Sequence, residues 1–181
     1  MKKKSFKKGI IVLFGGLVTF SILAIFSPAE ETLRVGMFDS RAVAIAYARS
    51  GTFGQYMGSL KEKLKKAKEE GDEKLVKELE TLGPAMQQVL HQQGFSIASV
   101  ADILEKVKAE LPKIAEDAGV DIIVSKWEVV YKDPSIKIVD VTSHLVMLFN
   151  PEENTLKTLE DLRKQNPIPL LELLLEIQKE R

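Results

Sequence analysis

Cysteine is absent from the 181 residues. That excludes disulfides, thiol catalysis, cysteine-ligated metals and a lipid-modified amino-terminal cysteine. Histidine is scarce, with only His91 and His144. His91 stands in a helical segment beside Gln92 and Gln93 and reads as a surface residue. His144 opens a helix and reads as a packing or capping residue. No spacing joins either histidine to carboxylates as a metal site. A hydrolase would need both histidines and nearby acids to converge in one pocket. Phosphate-cradling glycine loops, Gly-x-Ser-x-Gly and His-Glu-x-x-His are also missing. The expectation is a chain with no catalytic residue, no metal and no cofactor, and not an enzyme.

Acid is missing before residue 30, where Lys2, Lys3, Lys4, Lys7 and Lys8 stand. Without those five lysines, 21 basic residues face 26 acidic ones, a net of −5. A mildly acidic body argues against nucleic acid, since phosphate binding needs a basic face. The pairs Glu69-Glu70 and Glu152-Glu153 read as solvated or helix-terminus charge. The lysines from 61 to 68 read as a solvated helix face rather than a contact for acidic lipid or client.

What is present begins with export. After the lysines, Ile10 to Phe26 runs 17 residues without a charge. That exceeds the ~7–15 of a signal-peptide core and touches the lower edge of the ~17–25 of a spanning helix. Ser27-Pro28-Ala29 places small residues at a possible cleavage after Ala29. Residues 1–29 are therefore expected to be a signal peptide or signal anchor. The lysines should stay in the cytoplasm, so the rest is exported. The expected location is the periplasm or cell envelope, with membrane contact through this segment.

In the exported part, Leu33, Val35 and Met37 alternate as in a strand. Asp39 or Ser40 can cap a short apolar helix through Ala42, Val43, Ile45, Ala46 and Tyr47. Met57, Leu60, Leu64 and Ala67 then recur on one narrow helical stripe, and Leu75, Leu79, Leu82, Met86 and Val89 on a second. Gly71-Asp72 between them fits a helix stop followed by a cap, so residues 56–93 read as a helical hairpin. Gly83-Pro84 reads as a kink or restart, and Gly94 as an end. Ser99-Val100-Ala101-Asp102 opens another helix, closed by Gly119.

Strand character returns at Val120–Val124, then at Trp127, Val129 and Tyr131, then at Ile136 and Ile138 beyond a Lys132-Asp133-Pro134-Ser135 turn. Val120–Val124 reads as buried on both faces, and Trp127 and Tyr131 as core. Asp140 or Thr142 caps the next helix. Asn150-Pro151-Glu152-Glu153 starts another. Leu170 to Ile177 makes a last short helix that should dock on the body or on another subunit. The expected fold is α+β: a small, mainly antiparallel sheet body, a projecting helical hairpin and carboxy-terminal helices. Its units are 1–29, 30–149 and an extension over 150–181.

In this order the chain resembles the Skp/OmpH family of periplasmic chaperones. The resemblance rests on Leu33-Arg34-Val35-Gly36-Met37-Phe38-Asp39-Ser40, on Ile114 through Val124, on Val129-Val130-Tyr131 and on Asp140-Val141-Thr142. It covers roughly residues 33–149. It implies a homotrimer whose sheets join into a body, with hairpins around a cavity that holds unfolded outer-membrane proteins without ATP. The client-binding residues it points to are Met57, Leu60, Leu64, Leu75, Leu79, Leu82 and Met86. Three features depart from the family: short arms interrupted at Gly83-Pro84 and Gly94–Ala98, an acidic body, and the extension from Pro151 to Arg181. The alternative is a membrane-anchored envelope scaffold, with no chaperone activity, whose hairpin binds a partner helix.

Overall fold

A computed structural model describes residues 33–179. The expected signal or anchor segment lies outside them. Strand β1 (Arg34–Phe38) leads into α1 (Ser40–Ala48), where Asp39 caps by accepting from the Arg41 amide at 3.1 Å. Ser50 caps α2 (Gly51–Glu70) by accepting from the Phe53 amide at 3.2 Å. Gly71 ends α2 with φ of 69°, a left-handed turn that favours glycine. Asp72 caps α3 (Glu73–Phe95) through the Leu75 amide at 3.0 Å. The hairpin tip therefore falls on Gly71-Asp72. At about 1.5 Å per residue the arms are roughly 30 and 35 Å long.

Pro84 lies inside α3 without ending it, so the expected interruption of the arm at Gly83-Pro84 does not occur. Proline removes one backbone donor from the helix. The helix packs against α1, α2 and α8. Next come α4 (Ala101–Leu104), a 3-10 turn (Glu105–Glu110) and α5 (Leu111–Ala118), which ends at Gly119 with φ of 62°. Strands β2 (Ile122–Ser125) and β3 (Lys137–Asp140) follow, then α6 (Thr142–Met147), α7 (Glu153–Arg163) and α8 (Leu170–Lys179).

The sheet corrects the expected antiparallel body. Its order is β2-β1-β3, and both pairs are parallel. Phe38 pairs with Ser125 at one end of β1, and Arg34 pairs with Lys137 at the other. The chain from Lys126 to Ile136 therefore passes β1 and returns to its starting end before β3 begins. It cannot be a hairpin strand, and the expected strand through Trp127, Val129 and Tyr131 is absent. The Pro134 turn lies inside this crossover. Nor is β2 buried on both faces: it is an edge strand, and Ile122 is 43% exposed.

Gly36, Phe38, Ile123 and Val139 share the face turned to the helices. Phe38 joins Val43, Ala46, Tyr47, Ile103, Val141, Leu145 and Phe149 in the main core, and Ile123 and Val139 pack on it. A Cβ at Gly36 would meet Val120 Cγ2 at 3.1 Å and the Ile122 carbonyl at 3.2 Å, so glycine permits the close strand approach. The opposite face carries Val35, Met37, Ile122, Val124 and Ile138. None of these belongs to the main core cluster. Leu159 and Leu162 of α7 do belong to it, and Leu173 of α8 is buried, with α8 packed on α3. The carboxy-terminal helices thus complete the body, and the last helix docks on it.

Candidate functional site

Two clefts open where the first turns of α2 cross the second half of α3. The larger encloses about 640 Å³, bounded by Ile45, Met57, Pro84, His91 and Phe95 among others. The smaller, of about 350 Å³, reaches Tyr47, Tyr56, Leu82, Val89, Gln93, Asp102 and Lys106. Phe53, Met86 and Leu90 line both, so they form the ridge between them. No acidic residue lines the larger groove, where Arg49 is held by a 2.9 Å bond to Thr158 Oγ1. Its walls are chiefly apolar, and two are methionines, whose unbranched side chains adapt to irregular shapes.

This geometry sorts the seven expected client-binding residues. Met57 and Met86 line the larger groove, and Leu82 and Met86 the smaller. Leu60, Leu64 and Leu79 are half-buried where α2 and α3 run side by side, and line neither cleft. Leu75, near the tip, is exposed. Their helical spacing reflects pairing of the two arms. The apolar concavity lies at the base of the hairpin. Phe53, Leu90 and Ile45 come from helices whose faces had to be brought together, which no local spacing reveals.

The smaller cleft has a polar rim. Gln93 is buried, and its Nε2 donates to the Ser99 carbonyl at 2.8 Å and to Asp102 Oδ1 at 2.7 Å. The Lys106 ammonium lies 5.8 Å from the centre of the Tyr47 ring. Burial, then the charge of Asp102, then Tyr56 push the Tyr47 phenol above its ordinary pKa. Tyr47 also packs edge-on against Phe53 at 5.3 Å.

The strongest charged cluster lies elsewhere, at the carboxyl end of β1. Buried Asp39 accepts from Arg41 Nε at 3.1 Å and Nη2 at 2.9 Å, and from Trp127 Nε1 at 3.1 Å. Lys126 Nζ sits 2.8 Å from its Oδ2. Burial acts to raise the Asp39 pKa, but the bonds and charges of Arg41 and Lys126 outweigh it and hold the group at about 2. A carboxylate so fully engaged is a poor proton acceptor. Arg41 also donates to the carbonyls of Leu162 and Gln165, and its guanidinium stacks over Trp127 at 4.8 Å. The cluster therefore clamps β1, the crossover and the end of α7 together.

The expectation for Trp127 and Tyr131 changes accordingly. Trp127 is half-buried and spends its indole N–H on Asp39, while Tyr131 is 79% exposed. Arg41 escaped notice in the sequence. Its signal was a lone arginine two residues after an aspartate, inside an otherwise apolar helix. The histidines are not brought together: His91 lines the larger groove and stacks edge-on against Phe95, while exposed His144 borders a separate cleft beside α5. Among the described residues no helix is long and apolar enough to cross a membrane. Comparison with protein-family models, with curated proteins and with solved structures returned no match.

Proposed function

We propose that the exported part is a non-enzymatic, ATP-independent holdase of the cell envelope that binds unfolded outer-membrane or other exported polypeptides. One observation carries the reading: the hairpin base opens an apolar groove of about 640 Å³ with two methionines in its wall and no acid. Such a surface suits varied apolar segments held by many weak contacts, and holding them requires no bond to be made or broken. The amino-terminal lysines and apolar run support an envelope location. The test is light scattering from a diluted, urea-unfolded outer-membrane protein, without ATP. Suppression of aggregation is expected at severalfold excess of the protein. No suppression at that ratio overturns the reading.

The same proposal includes self-association, with a trimer as the expected state. Its support is the outer face of the two edge strands, where Ile122 and Ile138 are exposed. Parallel sheets are ordinarily covered on both faces. A mass measurement in solution should give a multiple of 20.2 kDa, adjusted for any cleaved segment. Ile122→Glu, at an exposed position, should shift the mass to the monomer while leaving helix content intact. A monomeric wild type removes the assembly and leaves the groove.

A further inference from the structure

We propose that the smaller cleft is an anchor subsite for one large apolar side chain of an extended polypeptide, whose backbone is held between Asp102 and Lys106. The choice of a polypeptide as occupant rests on the holdase reading above. The floor and walls are Tyr47, Phe53, Tyr56, Leu82, Met86 and Val89. Its volume of about 350 Å³ is near the lower end of ligand pockets, at roughly 300–1,000 Å³. That takes one large apolar side chain together with part of the backbone on either side of it. Val89 and Tyr56 are 47% and 43% exposed, so the mouth is open and apolar.

The rim selects the backbone. Every non-proline residue of an extended segment offers one N–H and one C=O. Asp102 and Lys106 stand one helical turn apart, yet they do not pair with each other. Buried Gln93 holds Asp102 by Oδ1, and among the described residues Oδ2 has no donor. The Lys106 ammonium has no carboxylate within 4 Å among the described residues and is turned toward the Tyr47 ring. The rim therefore presents one acceptor and one donor beside an apolar hole, matching an extended residue whose side chain enters the cleft. A charged hydrogen-bond partner strengthens each contact.

The probe is a fluorescein-labelled nine-residue Gly/Ser peptide with one central phenylalanine, beside counterparts with alanine or N-methylphenylalanine there. The protein is used in the form the cell accumulates, in lipid nanodiscs where the amino-terminal segment is retained. The phenylalanine peptide should bind about tenfold more tightly than the alanine peptide. N-methylation, Asp102→Ala and Lys106→Ala should each weaken it about threefold or more. Asp102 and Lys106 are exposed, so both variants should keep the wild-type circular dichroism. Equal binding of the phenylalanine and alanine peptides, or wild-type binding by both variants, overturns the subsite. If aggregation is suppressed but the peptides bind alike, the subsite falls and the holdase reading stands. If the peptides discriminate as expected but aggregation proceeds, the holdase reading falls and the subsite stands.

Discussion

Asp39 has both carboxylate oxygens engaged by nitrogen donors from Arg41, Lys126 and Trp127. Removing one partner of a buried ion pair leaves charge without compensation, which typically costs about 3–5 kcal/mol. Arg41→Met should lower stability by about 3 kcal/mol or more in urea unfolding, since the carbonyls of Leu162 and Gln165 also lose a donor. A loss below about 1 kcal/mol would show that Lys126 and Trp127 suffice. The clamp also predicts an acid response. The folded pKa of about 2 lies below the ordinary 3.8, so its stabilisation is fully present above 3.8. It is lost as pH falls through 3.8 toward 2, on the order of 2 kcal/mol in all. The urea midpoints of wild type and Asp39→Asn should converge as pH drops from 5 to 2. A constant gap across that window would contradict the assignment.

At the scale of elements, the hairpin was the most legible part of the chain. Gly71-Asp72 at the tip and the Asp72 cap are local signals, and both hold. Pro84 misled because a helix can carry an interior proline at the loss of one backbone donor. The glycine beside it makes a clean test. A Cβ at Gly83 meets nothing within 4 Å, and one at Gly71 would sit at φ of 69°. Calorimetry should find Gly83→Ala more stable by about 0.5–1 kcal/mol and Gly71→Ala less stable by about 1 kcal/mol. Destabilisation by Gly83→Ala would mean that α3 is strained there and needs glycine.

For the whole molecule, the carboxy-terminal helices share the core of the body. Leu159 and Leu162 sit in the same core as Phe38 and Leu145, and the carbonyls at the end of α7 receive Arg41. Leu162→Ala should therefore cost about 2–5 kcal/mol in chemical denaturation. Deleting residues 150–181 should abolish the cooperative transition and leave dispersed amide signals absent from the NMR spectrum. A truncated chain that still unfolds cooperatively with native dispersion would return those helices to the status of an appendage.

The sequence by itself determined the element ends that local signals set, since those act over a few residues: the Asp39 and Asp72 caps and the glycine stops at Gly71 and Gly119. It also offered a strand through Trp127, Val129 and Tyr131 that does not form. It placed strands at β1, β2 and β3, the tip at Gly71-Asp72 and an apolar hairpin. Strand direction was beyond its reach. A pleated apolar run looks the same whether its partner is parallel or antiparallel, and only the paths of the connections decide, through the helices of residues 39–121 for β2 and through Lys126 to Ile136 for β3. The clefts were equally hidden, since Ile45, Phe53 and Asp102 become neighbours of α3 only after folding. Tertiary structure also turned Trp127 from a strand residue into a donor to Asp39. A buried carboxylate takes whichever donors the packed chain brings to it, and those lie far apart in sequence.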